Sequence, residues 1–134
     1  MRIPLGILIV LFCFSCGKKS TVHKKLQGCD SLVITFTAPN SDSVINIVNT
    51  TEKKAIRKLA GFLDGKSGEL YKCGYDGHMV FYKKGEQVMP VVFKFTEEGC
   101  QHFLYDIDNK LTSTLMSNEE IDFLKSLKEG RSWY

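Results

Sequence analysis

Residues 78 to 107 read HMVFYKKGEQVMPVVFKFTEEGCQHFLYDI, and this stretch decides the fold. Apolar and polar residues alternate in three blocks, a pattern typical of strands that bury one face. Residues 83–87 and 96–99 separate the blocks and are rich in the glycine and charged residues typical of turns. The stretch therefore predicts three consecutive antiparallel strands. Their shared apolar face consists of Met79, Phe81, Val91, Phe93, Phe95, Phe103, Tyr105 and Ile107.

The pairing of these strands predicts a disulfide bond. If Phe81 lies opposite Val91, the same register places Cys73 beside Gly99 and Cys100. A bond that closes such a loop contributes roughly 3 kcal/mol to stability. Cys29 is then free or bonded elsewhere, and its pairing with either of the other two stays open because connectivity does not follow from sequence.

The flanking segments predict the rest of an α+β domain over residues 30–134. In chain order they are a strand at 31–37, a strand at 43–49, a helix at 52–63, the three strands above, a strand at 111–116 and a helix that begins with the capping box at 117–120. The inner face of the second strand is ambiguous, because Val44 and Val48 alternate with Ile45 and Ile47. We expect a two-layer domain in ββαββββα order, with an antiparallel sheet of about five to six strands and both helices on one face.

The N-terminal residues have the features of an export signal. Arg2 precedes an apolar run at residues 3–14, which is too short for a membrane span because a span needs roughly 20 apolar residues. With the small Ser15 before Cys16, residues 1–16 resemble a bacterial lipoprotein (type II) signal, in which the cysteine receives a diacylglycerol and becomes the new N-terminus. The resemblance implies removal of residues 1–15 and attachment to the membrane through lipid on Cys16. Ordinary signal cleavage is the alternative.

Residues 16–29 are expected to form the lipidated cysteine and a lysine-rich tether, because Val22 and Leu26 are isolated apolar residues in a polar segment. Lysines near a membrane each add about 1 kcal/mol of attraction to anionic headgroups. The signal implies a location in the cell envelope, on the periplasmic face of the inner or outer membrane. Disulfide bonds persist in that compartment.

Composition and motifs argue against several classes of function. The net charge is +3, and the basic residues are spread among 15 acidic residues, so nucleic acid is not an expected partner. The sequence has no phosphate-binding glycine loop and no nucleophile elbow, so we predict neither catalytic residues nor a cofactor. His78, Lys94 and His102 are expected to form one row across three strands, which puts the histidines about 9.6 Å apart. We therefore predict no metal site.

One short segment resembles a known family. Residues 67–71, Ser-Gly-Glu-Leu-Tyr, are similar to the Ser-Gly-x-x-Tyr segment of the lipid-anchored inhibitors of c-type lysozyme. The resemblance implies that Ser67 and Tyr71 contact the inhibited enzyme. The alternative is a loop that leads into a short strand through Leu70 and Tyr71.

Two further places predict partner contacts. Tyr75 and Asp76 lie between two glycines, in a predicted bend with positive φ, and loops of this kind often carry contacts. Trp133 and Tyr134 end the chain, and such aromatic residues either pin a last helix to the sheet or anchor a partner.

These features together predict a lipid-anchored envelope protein that acts as a binding module for a protein partner. The alternative is an inhibitor of a cell-wall-degrading enzyme, as the lysozyme-inhibitor resemblance implies. A hydrolase is the least favoured function, because a catalytic grouping of residues is missing from the sequence motifs.

Overall fold

The structure is a computed structural model that describes residues 20–70 and 72–131. Its elements, in chain order, are α1 Thr21–Leu26, β1 Ser31–Thr37, β2 Val44–Thr50, α2 Lys53–Phe62, β3 Gly77–Lys83, β4 Glu86–Lys94, β5 His102–Ile107, β6 Lys110–Leu115 and α3 Asn118–Lys128. The six strands form one antiparallel sheet in the order β2-β1-β3-β4-β5-β6. The predicted α+β class and the ββαββββα order are confirmed, and α1 precedes them as an additional helix. Within the described ranges, every helix falls short of the length and apolar character that a membrane span requires.

The helix α1 corrects the prediction of a tether over residues 16–29 for its described part, residues 20–29, while residues 16–19 lie outside the described residues. Val22 and Leu26 are buried in the main core, and the Ser20 side chain caps the helix by accepting a hydrogen bond from the His23 backbone N–H. The two apolar residues are four positions apart, so they lie on the same helical face. Their burial depends on contacts with distant parts of the domain. Because the local composition does not report such contacts, it indicated a polar linker.

The hydrophobic core lies between the sheet and the helices. The predicted apolar face of β3, β4 and β5 is confirmed, with seven of its eight side chains buried and Ile107 half-buried. Phe36 of β1 packs edge-on against Phe93, with ring centroids 5.6 Å apart, and against Phe95 at 6.2 Å. Leu59 of α2 and the α3 leucines cover this face, so both predicted helices contribute to the same core. Each fully buried large side chain contributes roughly 1.5–3 kcal/mol.

The register between β3 and β4 differs from the predicted one by two residues. Val91 lies opposite Met79 rather than Phe81, so His78 pairs with Val92 and its predicted pairing with Lys94 is wrong, whereas the predicted pairing of Lys94 with His102 is confirmed. The β3–β4 turn is shorter than expected, because Lys84 and Gly85 have φ values of 51° and 78° and form a two-residue connection. A shift of two residues keeps every side chain on its predicted face.

The predicted disulfide bond joins Cys73 and Cys100, whose Cα atoms are 6.1 Å apart. Cys29 is free and buried. The pairing is confirmed although the register that motivated it was wrong, because residues 73–76 approach the end of β4 as a loop rather than as an extension of β3.

The strand β2 forms one edge of the sheet and leaves apolar side chains in solvent. The sequence left open which side chains of this strand face inward. Val48 packs against the core, whereas Ile47 is exposed. A bulge between Phe36 and Thr37 of β1 shifts the register at the start of β2, where Val44 and Ile45 are more than half exposed. The opposite edge is partly covered, because Ser67 forms a β-bridge with Thr114 of β6.

Candidate functional site

A buried charge pair lies where the segment before β3 meets the end of β4. The Asp76 carboxylate is 3.3 Å from the Lys94 ammonium, and the two side chains are only 2% and 3% exposed. The Asp76 carboxylate also accepts hydrogen bonds from the backbone N–H groups of Phe95 and Thr96, at 2.8 and 2.9 Å, and from the Thr96 hydroxyl. We refer to Asp76, Lys94, Thr96 and the neighbouring His102 as the Asp76 cluster.

The electrostatics of the cluster keep Asp76 ionised. Burial raises the pKa of Asp76, but the hydrogen bonds from Phe95 and Thr96 and the charge of Lys94 lower it more, so the net pKa lies below the ordinary value of a carboxyl group. A carboxylate whose oxygens already accept this many hydrogen bonds is a weak proton acceptor. Asp76 therefore has the properties of a structural anion rather than of a general base.

His102 is the fully buried member of the Asp76 cluster. Its backbone pairs with that of Lys94, and burial lowers the pKa of the imidazole, an effect that a hydrogen bond with the Cys100 backbone opposes and the charge of Lys94 reinforces. The net pKa lies below the ordinary value of histidine, so the ring is neutral at pH 7. A buried, neutral imidazole therefore lies beside the lysine of the Asp76–Lys94 ion pair.

The loop that carries Asp76 is bound to the sheet at several points. Gly68 donates a backbone hydrogen bond to Ser113 of β6, and the Cys73–Cys100 disulfide lies farther along. Gly74 has a φ of 78°, which confirms the predicted bend. Tyr75 is held to the β1–β2 connection, because its backbone N–H donates to Asn40 and its hydroxyl donates to Asp42. The loop is therefore a bound segment of the fold.

A cleft lies between α1 and α2 and, unlike the buried Asp76 cluster, it has exposed charged residues in its lining. Its volume is about 590 Å³, which lies within the range of small-molecule sites. Leu26 and Cys29 line one side, and Ile56, Arg57, Ala60 and Asp64 line the other. We call this the α1–α2 cleft.

The charged residues of the α1–α2 cleft are unevenly distributed. Lys53 and Arg57 lie in the first turns of α2, while Asp64 follows the last turn of the same helix. Arg57 and Asp64 are seven residues apart, which corresponds to about 10 Å along a helix axis. Along α2 the lining therefore runs from Lys53 and Arg57, with Ile56 between them, through Ala60 to Asp64, and Asp30 adds a second carboxylate from the segment after α1.

The free thiol of Cys29 lies in the wall of this cleft. Burial raises the pKa of Cys29 above its ordinary value, Asp30 raises it further, and the charge of Lys83 opposes both effects. The thiol is therefore protonated at pH 7 and is a poor nucleophile. His23 also lines the cleft.

The structure separates the residues predicted to contact a partner. Asp76 is buried in its cluster, so it is not available to a partner, and this prediction is wrong. Ser67 is exposed at the β6 edge, and Tyr75 is half-buried. Cys16, Tyr71, Trp133 and Tyr134 lie outside the described residues.

Sequence reasoning missed the α1–α2 cleft, because its residues form no recognised motif. The available indication was Ser20 as an N-cap followed by Val22 and Leu26 on one helical face. Within residues 20–70 and 72–131, no three or more His, Cys, Asp or Glu side chains are grouped as a metal site requires.

The chain matches no protein-family model, no curated protein and no solved structure. The geometry of the chain alone therefore defines its class. It is a small α+β domain with a buried ion pair at one end of the sheet and a ligand-sized cleft between two helices.

Proposed function

We propose that this protein is a lipid-anchored binding module of the bacterial cell envelope, attached through an acylated Cys16 and binding its ligand in the α1–α2 cleft. The anchor rests on the residues of the N-terminus: Arg2, the apolar run at 3–14, and Ser15 before Cys16. The binding function rests on the cleft.

The observation that carries the binding function is the combination of volume, apolar lining and accessible charge in one place. A cleft of about 590 Å³ that is lined by Ile56, Ala60 and Arg57 provides both burial and a specific polar contact. The Asp76 cluster does not offer this combination, because its charges are already paired. Binding is favoured over catalysis, since the Cys29 thiol is protonated and His102 is buried.

The anchor is tested by expression of the full chain in a bacterium, followed by membrane fractionation and mass spectrometry of the mature protein. We expect a membrane-bound chain that begins at an acylated Cys16. The Cys16→Ser variant is expected to lose the acyl mass and its membrane attachment.

Cys13→Ser provides the matched control, because Cys13 lies in the same apolar run three residues earlier. It should be processed and retained as the unaltered chain is. A mature chain with an unmodified Cys16, or acylation that survives Cys16→Ser, would overturn the anchor.

A further inference from the structure

We infer that the α1–α2 cleft binds an anionic membrane lipid, with the headgroup phosphate at Lys53 and Arg57 and an acyl chain over Ile56 and Ala60. This inference deepens the proposed binding function and rests on it. The ligand class is a phospholipid with a single negative charge, such as phosphatidylglycerol.

The two cations are available to a ligand. Lys53 and Arg57 are exposed, and among the described residues neither is held by a salt bridge or a side-chain hydrogen bond. They are four residues apart, so both side chains lie on the same face of α2, which is the face that lines the cleft. A phosphate between them would receive hydrogen bonds from an ammonium and a guanidinium, the donors that phosphate recognition favours.

The apolar part of the cleft adjoins these two cations. Ile56 lies between the two cations, Ala60 and Gly61 follow Arg57 along the lining face of α2, and Leu26 of α1 also lines the cleft. A side chain at Gly61 would meet no atom within 4 Å, so the wall leaves room for a ligand at this point. Small residues beside large aliphatic ones form a track suited to a flexible hydrocarbon chain.

The acidic lining residues limit the charge of the ligand. Asp30 accepts a hydrogen bond from the Lys84 backbone N–H at 2.9 Å, so one of its oxygens is already engaged. Asp64 lies at the far end of the apolar track and would repel a second anionic group there. The arrangement therefore fits a ligand with one anionic end and one apolar end better than a polyanion.

The position of the cleft along the chain favours a membrane lipid as the source of this chemistry. Thr21, the first residue of α1, follows Cys16 by five residues, which span at most about 18 Å when fully extended. If Cys16 is acylated, α1 is confined near the membrane surface. Lys24 and Lys25 of the same helix are exposed and add attraction to anionic headgroups. Acylation of Cys16 thus keeps a high local concentration of lipid at the cleft.

Photocross-linking of the full-length acylated protein tests the inference. The protein is reconstituted in phosphatidylcholine vesicles that contain a trace of phosphatidylglycerol with a photoreactive group in its acyl chain. We expect cross-links in the peptides at 20–30 and 53–64. Unlabelled phosphatidylglycerol should compete for them, whereas additional phosphatidylcholine should not.

The variant Lys53→Gln/Arg57→Gln should reduce the competable cross-linking about 25-fold, since each cation near an anionic headgroup contributes roughly fivefold. The control Lys72→Gln/Lys110→Gln makes the same change of charge at exposed positions outside the cleft lining and should leave the yield unchanged. Equal losses in both variants, or cross-links confined to other peptides, would contradict the assignment. Circular dichroism of each variant verifies that it is folded.

Two further measurements separate the outcomes. Soluble glycerol phosphate should not compete, and competition by it would assign the cleft to a soluble phosphate ester instead of a lipid. The mass of the purified chain reports the acylation of Cys16 independently of the cross-links. An acylated chain without cleft cross-links would refute the lipid assignment alone, whereas an unacylated chain would refute the anchor.

Discussion

The Asp76 cluster and the α1–α2 cleft use charged residues in opposite ways. In the cluster, Asp76 and Lys94 are almost completely buried and neutralise each other, and the remaining carboxylate lone pairs accept backbone and hydroxyl hydrogen bonds. In the cleft, Lys53 and Arg57 are exposed beside an apolar lining. A buried charge persists only when it is paired, so the cluster is complete without a ligand.

The difference shows which residues are informative about binding. The two glycines that flank Tyr75 and Asp76 led the sequence analysis to predict partner contacts at this loop. The fold uses these residues to hold the loop against the sheet. The cleft residues are ordinary helix residues, and their importance comes from where α1 and α2 are placed.

The largest expected effect is in the Asp76 cluster. Asp76→Asn leaves Lys94 buried without its main counterion, and the new amide group places a donor where the carboxylate accepted. We expect a loss of about 3 kcal/mol in the free energy of unfolding. The exposed Glu97, 4.0 Å from the Lys94 ammonium, replaces the lost charge only in part. Denaturant titration measures the loss.

The matched control for this change is Asp64→Asn in the α1–α2 cleft. Asp64 is exposed, so the same chemical change should alter stability by no more than about 0.5 kcal/mol. A second variant, Asp76→Asn with Lys94→Met, removes both buried charges and should recover part of the loss. Equal stabilities of Asp76→Asn and Asp64→Asn would mean that the ion pair is not a structural element.

Alanine substitutions at Gly77, beside the Asp76 cluster, and at Gly61, in the α1–α2 cleft, should change the free energy of unfolding by intermediate amounts and with opposite signs. A side chain at Gly77, directly after Asp76, would overlap the Thr35 carbonyl oxygen and approach a Phe93 ring atom to 2.7 Å. Gly77→Ala should therefore destabilise the protein by about 2 kcal/mol. Gly61→Ala adds a methyl group in open space within α2 and should stabilise it by about 0.5–1 kcal/mol.

Thermal unfolding of both glycine variants measures this contrast. Shifts of the melting temperature in the same direction would show that the region around Gly77 has more room than the structure indicates, or that the cleft wall at Gly61 has less.

The last expected effect is a pH dependence that arises from His102. Its pKa is lowered in the folded state by burial, so below the ordinary value of 6.5 the unfolded chain binds the proton more readily. The resulting stability is present above pH 6.5 and is lost as the pH falls, by at most about 1.4 kcal/mol per pH unit for one proton. Unfolding titrations between pH 7.5 and 5.5 measure this slope.

The variant His102→Gln isolates the His102 contribution. Its free energy of unfolding should change less with pH over the same range, whatever its absolute stability. Parallel slopes would show that His102 is accessible to protons in the folded state. The loss expected from Asp76 falls in a separate window, below pH 3.8, because its folded pKa is also lowered.

Several features of the fold could be predicted because they depend on neighbouring residues. Strand alternation places Phe81, Val91 and Phe103 on the buried face whatever the register, and the Ser117–Glu120 capping box forms within one turn of α3. The register of β3 and β4 could not be predicted in the same way. It depends on a bulge after Phe81 and on a two-residue turn, which the alternation pattern does not encode.

The sequence by itself therefore determined the class of fold and the faces of the strands, whereas it left the pairing of Cys73 with Cys100 as one of several possible disulfides. Only the tertiary structure decided that Asp76 and Lys94 would be buried together and that α1 would pack beside α2 to leave a cleft. The physical reason is range: periodicity and capping act over a few residues, whereas the burial of a charge or of a short helix depends on segments that are distant in sequence and meet only in the folded chain.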